Sequence, residues 1–506
     1  MRYKKRILKN SVVSVAQTVS SAFILFFLYR YLLHRIGPEQ LGIWALVLAS
    51  TSVGRLSDMG FSGAALKFVA RHLAYGEPKK AAEVVQTAAL SIGLALAVLA
   101  AVAYPFILMA LSWSLPNSSL PIAHSILPWA VSSLWLGMVA GIFQSALDGC
   151  QRMDIRNYIL IFCNIVYLVL VLLLIPNYGL VGLAKAQLVQ TLLMALITWY
   201  MLRKLLPQLP LLPWQWSKKE FKEMFAYAVN FQIGSIAGLL FEPVTKFLLA
   251  KFGGLTNTAY YEMANQVIAK TRAVLVSGLQ TVVPIIAGMK DEEHNLRLEV
   301  YRKSYSVFFF ITWPYYILLA LAFPLISLLW IGKIEPTFIL YGSILSIGWL
   351  LSNFGVPAYL FNLGTGHLVW NTWLHILTGI LNLSLGFFLG SRFGAEGVLA
   401  SVVISLVLPS WVLIYIVKRR LAINMFEIVP TEHRIFFLMM ILSGFFGLIL
   451  WNKFKFEIDG NLTSFVPLLY FMFCFFVLLG FHPYRKVVPQ VYKAFTLKLK
   501  KLWGKN

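Results

Sequence analysis

Residues 177–204 read NYGLVGLAKAQLVQTLLMALITWYMLRK, and residues 392–419 read RFGAEGVLASVVISLVLPSWVLIYIVKR. Each opens on two glycines three apart, runs apolar for about 20 residues and ends on basic side chains, the make-up of a membrane-spanning helix with a headgroup anchor. Gly179 and Gly182 fall on Gly394 and Gly397 when the chain is shifted by 215 positions (394 − 179 = 215). At the same shift Gly149, in LDGCQRM, meets Gly364, in FNLGTGH, and one further residue brings Gly37 onto Gly253. The chain therefore reads as two halves of like design, and the question is what each half contains.

Of the 506 residues, 59% are hydrophobic and 12% charged, with a mean hydropathy of +0.75. A soluble domain carries about 25% charged residues, so the class is an all-α polytopic membrane protein. Fourteen spans are expected, at 10–35, 41–70, 81–111, 121–147, 157–176, 179–202, 223–250, 257–289, 304–330, 337–362, 368–390, 395–417, 435–451 and 464–482. Pro284, Pro314, Pro357 and Pro409 mark expected kinks. MRYKKRILKN leads into a full-length helix with no small-residue cleavage site, so no cleaved signal peptide is expected.

Orientation follows from the 43 Lys and Arg residues. With the N-terminus inside, 30 fall at cytoplasmic ends and loops and six in outer loops: Arg35, Lys251, Lys333, Arg392, Lys453 and Lys455. This is the positive-inside pattern, with both termini cytoplasmic. The net charge of +23 then faces anionic headgroups, which excludes nucleic acid as the partner it implies and points to membrane lipids. The repeat places an N-lobe of six spans at 1–206, a Pro-stiffened cytoplasmic linker at 207–222 and a C-lobe of six spans at 223–420. Two appended spans and a basic cytoplasmic tail fill 421–506. Six spans per repeat keep both lobes the same way up, with a central cleft expected between them.

Seven basic residues remain inside the spans (43 − 30 − 6 = 7): Arg30, Arg55, Lys67, Lys185, Lys246, Lys270 and Arg272. Only Asp58, Glu242 and Glu262 stand well inside against them. A charge in hydrocarbon is costly, so such groups face a wet interior, a partner or the headgroup layer. Arg30 overlays Lys246, and Arg55 overlays position 271, between Lys270 and Arg272. The expected cationic, anion-binding cleft is Arg55, Lys270 and Arg272, with Arg30 and Lys246 as further members. Arg30, like Lys67 and Lys185, equally fits snorkelling to the interface. Asp58 lies three residues after Arg55, and Glu242 four before Lys246, spacings that equally suit internal ion pairs.

RIGPEQLGIWALVLASTSVGRLSDMGFSGAALKFVARHLAYGEPKKAAEVV, residues 35–85, resembles the first-loop and second-helix signature of bacterial polysaccharide repeat-unit exporters. Its matching features are Gly37, Glu39, Gly42, the Asp58-x-Gly60 pair and the basic end at Arg71. FLLAKFGGLTNTAYYEMANQV, GLVGLAKAQ and GAEGVLASV look like later stretches of the same family, which often has Asp where this chain has Thr245. These are the Wzx-type (O-antigen) flippases of the multidrug/oligosaccharidyl-lipid/polysaccharide exporter superfamily. The resemblance implies a flippase in the bacterial cytoplasmic (inner) membrane. It would move undecaprenyl-pyrophosphate-linked oligosaccharide units to the outer leaflet by alternating access, for O-antigen, capsule, exopolysaccharide or lipopolysaccharide synthesis.

The implied partners are the lipid-linked oligosaccharide, membrane lipids and a polysaccharide polymerase with its chain-length machinery. Asp58, Glu242 and Glu262 are candidates for proton or sodium coupling, and Tyr260 and Tyr261 for sugar stacking or an interfacial belt.

Three other readings compete. A multidrug or cation antiporter of the same superfamily calls for acids in the cleft, yet span 1 has none between Asn10 and Arg35. A lipid II flippase would use a cationic cleft as well. A membrane glycan polymerase or glycosyltransferase calls for a sizeable outer loop or an Asp-x-Asp cluster, and neither is seen. No metal-ligand spacing appears among the eight histidines and no P-loop occurs, so no enzyme, metal site or cofactor is expected. Cys150, Cys163 and Cys474 show no paired spacing.

Overall fold

The computed structural model describes residues 2–52, 60–280, 282–289, 294–424, 431–454 and 466–482. Among them the only regular elements are helices: α1 (Arg2–Ser52), α2 (Phe61–Ala74), α3 (Pro78–Ser114), α4 (Leu120–Gly149), α5 (Met153–Leu205), α6 (Lys218–Gly253), α7 (Leu255–Leu279), α8 (Val282–Ala287), α9 (His294–Ile331), α10 (Pro336–Asn353), α11 (Val356–Thr365), α12 (Val369–Leu421), α13 (Thr431–Phe454) and α14 (Val466–Phe481). Eight helical stretches among the described residues are long and apolar enough to cross a membrane. They leave large side chains such as Phe106 (68%) and Leu173 (63%) open to their surroundings, as lipid-facing surface requires. The chain is a multi-pass membrane protein.

Helices α5 and α12 are each 53 residues long, about 80 Å if straight and far beyond the roughly 30 Å bilayer core. Neither is straight. Gly179 (φ 51°, ψ −133°) and Gly394 (φ 61°, ψ −140°) take up backbone conformations outside the helical region, in territory open essentially only to glycine. Past each break the chain doubles back: a Cβ on Gly182 would stand 2.6 Å from the Leu174 carbonyl oxygen, and one on Gly397 2.1 Å from that of Leu389. Residues eight apart on a straight helix lie about 12 Å apart along its axis, so each long helix is a hairpin of two spanning segments.

The same duplication shows in the other paired glycines. Gly149 presses on the Leu66 oxygen and Val69, and Gly364 on the Val283 oxygen and Ile286. By conformation, Gly37 (φ 80°, ψ 170°) matches Gly254 (φ 86°, ψ 171°) and not Gly253, which sets the shift there at 217 (254 − 37 = 217). The α2–α4 packing (66 and 69 on 149) and the α8–α11 packing (283 and 286 on 364) carry that same offset of 217 on the helix side.

Two parts of the chain are compact in themselves: residues 1–263 with 375–405, and 264–374 with 406–506. The first is built around an apolar core that includes Phe61, Phe68, Val85, Ile142, Phe143 and Leu202. The segment 207–222 is pinned within this unit. The backbone amides of Trp214 and Gln215 donate to the buried Gln86 side chain at 3.3 Å, and the Ser217 amide donates to Thr87 at 3.1 Å. Ser217 then caps α6 by accepting from the Glu220 amide. Beside it Arg71 pairs with Glu223 at 2.9 Å. Hydrogen bonds from Lys80, then from His72, hold the Glu77 carboxyl below the usual carboxylate range.

In the second unit α13 lies on α9 through aromatic rings. Phe437 stands 3.9 Å from Trp313 by centroids, and Phe309 stacks on Trp313 at 5.4 Å. His433 links to His482 at 2.7 Å and stands on Ser306, tying α13 and the end of α14 to α9. The spans appended after the repeat are thus part of this unit's core. Pro357 stands one residue into α11, beyond the α10–α11 break, whereas Pro314 and Pro409 lie inside α9 and α12.

Replacing Gly179 or Gly394 by Val forces a β-branched residue into a positive-φ conformation and is expected to cost about 1–3 kcal/mol. Gly63→Ala, in α2 with open space around it, should be neutral or raise stability by up to about 1 kcal/mol. Thermal denaturation of the detergent-solubilised protein checks both.

Candidate functional site

The charges expected in the membrane fall into different environments. Lys246 on α6 and Glu262 on α7 form a salt bridge of 2.6 Å, with side chains 8% and 5% exposed. The sequence places Lys246 in a cationic cleft, but in the structure its charge is compensated by Glu262 inside the first unit. Its partner is Glu262 and not Glu242, which stands exposed one helical turn earlier. The pair belongs to a buried polar network. Asn382 donates to Thr245 Oγ1 at 2.9 Å and to the Phe241 carbonyl at 3.1 Å, while Tyr29 interacts with Glu262. Thr245, where the resembled family often has Asp, is thus satisfied as a neutral donor to Phe241 at 3.0 Å. Tyr260 and Tyr261 are buried in the same unit, so neither belongs to a lipid-facing belt.

Arg272 is placed differently. It sits on α7 in the second unit, half-buried, with Nε donating to Asn353 Oδ1 at 3.2 Å. Its guanidinium lies 4.3 Å from the centre of the Trp349 ring, a cation–π contact. Tyr316 and Tyr359 are near enough to interact with it electrostatically. Asn353 and Tyr316 are each 1% exposed, so these neighbours are fixed by packing. Among the described residues no carboxylate lies within ion-pair distance of Arg272. The site thus holds a half-buried planar cation, framed by an indole, two phenols and an amide, with no described carboxylate paired to it. Such a group attracts an anion with hydrogen-bonding oxygens, phosphate above all.

Lys270, two residues earlier on α7, is exposed, and so is Arg30 on α1. Arg55 and Asp58 lie outside the described residues. The refined register nevertheless changes the sequence match: at a shift of 217, Arg55 corresponds to Arg272 itself (55 + 217 = 272) and not to position 271. Sequence reasoning missed Trp349, Asn353, Tyr316 and Tyr359. An indole in span 10 carries no signal of its own in a chain where 15% of residues are aromatic. Among the described residues no group of His, Cys, Asp and Glu suited to a metal ion occurs.

Helical hairpins repeated within one chain, together with apolar stretches of spanning length, define a polytopic helical membrane protein of duplicated design. The chain belongs to the polysaccharide biosynthesis protein family, which matches residues 7–290. Among solved structures it is similar to the lipid II flippase MurJ in an inward closed conformation. That likeness has a TM-score of 0.68 at 14% identity and covers 95% of this chain and 99% of that one. It is also similar to an inward-facing multidrug resistance MATE family transporter of the MOP superfamily, with a TM-score of 0.65, 16% identity and coverage of 80% and 98%. A third likeness is to a MOP superfamily transporter from Pyrococcus furiosus, whose binding pocket is described as having reversed polarity. The TM-score there is 0.59 at 16% identity, with coverage of 83% and 96%. At these identities the likeness establishes a shared fold and nothing further. Among curated proteins none matches the chain.

The Lys246–Glu262 pair generates a test. Lys246→Met or Glu262→Gln alone leaves one buried charge uncompensated and should cost about 3–5 kcal/mol. The double variant should recover most of that loss, as read from thermal denaturation of the three proteins beside the wild type.

Proposed function

We propose that this protein is a flippase that carries undecaprenyl-pyrophosphate-linked oligosaccharide units from the cytoplasmic to the outer leaflet of the bacterial inner membrane. The observation that carries the reading is Arg272, a half-buried guanidinium with a neutral polar frame and no carboxylate partner among the described residues. In the proposed mechanism Arg55, Lys270 and Arg272 hold the pyrophosphate while the polyprenyl tail stays in lipid. Trp349 beside Arg272 offers a flat apolar face to a sugar ring. The two repeats then alternate access, with both termini on the cytoplasmic side. An inside-negative potential favours outward movement of negative charge by about 2.3 kcal/mol per charge per 100 mV, so the substrate's own charge supplies part of the driving force.

Family membership supports a role in polysaccharide synthesis, and a lipid II flippase shares the fold. Polymerase and chain-length proteins would take up the exported unit. Cation export is the competing reading, and it needs an available acid. Glu262 is paired with Lys246, and Asp58, Glu242 and Glu262 are the carboxylates to test for ion coupling.

Purified protein in liposomes with a fluorescent lipid-linked oligosaccharide tests the proposal. Arg272→Ala should lower the flipping rate by tenfold or more, since a charge-assisted contact is worth about 1.5–3 kcal/mol. Arg272→Lys, which keeps the charge but loses the fork, should fall between. Wild-type flipping by a well-folded Arg272→Ala protein would overturn the assignment.

A further inference from the structure

A cavity of about 530 Å³ opens in the second unit at the ends of α8, α9, α11 and α12. Its lining includes Arg297, Thr365, His367 and Arg420 beside Phe361 and Ile286. The volume lies in the range of small-ligand sites. Among the described lining residues there are two arginines and a histidine and no carboxylate; Lys290, Asp291, Glu292 and Glu293 lie outside the described residues.

The lining is built rather than incidental. Helix α11 ends in a Schellman motif: Gly366 is left-handed (φ 76°) and the His367 amide donates to the Asn362 carbonyl at 3.0 Å. The buried Asn362 side chain donates to Asn371 at 2.9 Å, and Asn371 donates to the Tyr359 carbonyl at 3.1 Å, locking the turn onto α12. Thr365 and His367 are thereby fixed at the rim. Arg420 donates to Thr365 Oγ1 at 3.3 Å and stands over the Phe361 ring at 5.5 Å. Across the cavity Arg297 reaches the Met289 carbonyl at 2.6 Å.

The internal repeat sharpens the reading. Position 152 in the first unit corresponds to position 367 (367 − 152 = 215). There Arg152 is paired with Asp154 at 3.1 Å, whereas the residue corresponding to Asp154 is Val369 (154 + 215 = 369). The second unit keeps a basic side chain at this turn and drops its carboxylate.

We infer that this cavity is a phosphate-binding site, formed by Arg297, Arg420, Thr365 and His367 and distinct from the Arg272 site. All four lie at chain segments that the distribution of Lys and Arg places on the cytoplasmic side, where phosphate is abundant on lipid headgroups and in solution. Two guanidinium forks and a threonine hydroxyl match the oxygens of a phosphoryl group. The carrier is either an anionic phospholipid of the inner leaflet or a soluble phosphate.

Two arms separate these sources, both on the full chain in detergent. In one, inorganic phosphate is titrated against thermal stability at constant ionic strength. In the other, native mass spectrometry measures retention of phosphatidylglycerol against phosphatidylcholine. The site predicts binding in at least one arm, weakened tenfold or more by Arg297→Gln with Arg420→Gln and less by Thr365→Val. Arg392→Gln, at an outer loop, should change neither arm. Loss in the phosphate arm identifies a soluble anion, and loss confined to the lipid arm a headgroup. If the double variant aggregates, Thr365→Val and His367→Gln at the surface turn carry the test. Equal binding by wild type and folded variants in both arms overturns the inference.

Discussion

A charge that leaves water must be met by another charge, by hydrogen bonds or by a ligand, and the membrane-embedded part of this protein is organised by that requirement. Lys246 and Glu262 satisfy it between themselves, 2.6 Å apart inside the first unit. Arg272 satisfies it only in part, with one amide oxygen, an indole face and two phenols. The difference separates a cation met by a buried carboxylate from one met, among the described residues, only by neutral groups. A count of embedded charges treats the two alike.

The second constraint is backbone geometry. Two 53-residue helices fit a bilayer only by folding back, and glycine is the residue that allows the reversal without steric cost. Because Gly179 and Gly394 have nearly the same dihedral angles, and Gly182 and Gly397 nearly the same close contacts, one hairpin design is used twice. The repeat is held by what glycine permits and not by side-chain identity, which explains why so little sequence similarity accompanies it. The halves diverge in the side chains at the matching turn: Arg152 pairs with Asp154, whereas its counterpart His367 lines a cavity and position 369 is a valine.

Helices α13 and α14 stand outside the repeat, yet they are not peripheral to the unit that contains them. Trp313, Phe309 and Phe437 form a continuous aromatic contact between α9 and α13, and the paired rings of His433 and His482 extend it. The segment 207–222 is likewise integrated, since Gln86 and Thr87 of α3 satisfy its backbone amides. In both places local composition suggests an appendage or a tether, and long-range hydrogen bonds and ring packing make a structural part of it.

The sequence by itself determined the class: apolar runs of spanning length, basic residues gathered at alternate ends, and glycines recurring at 215 positions fix a duplicated helical membrane protein. These are properties of residue type and spacing, which a linear reading preserves. It also set Arg55, Lys270 and Arg272 together as candidates for a polar interior, because cations so far from either end of a span have few alternatives, and it did not distinguish among the three. Which cations are neutralised was decided only in three dimensions. The Lys246 partner lies on the next helix and not at i−4, and Tyr316, Trp349 and Asn353 come to Arg272 from 44 to 81 residues away in sequence (316 − 272 = 44; 353 − 272 = 81). Charge compensation depends on distances of a few ångströms between elements remote in the chain, and spacing along a single helix does not carry that information.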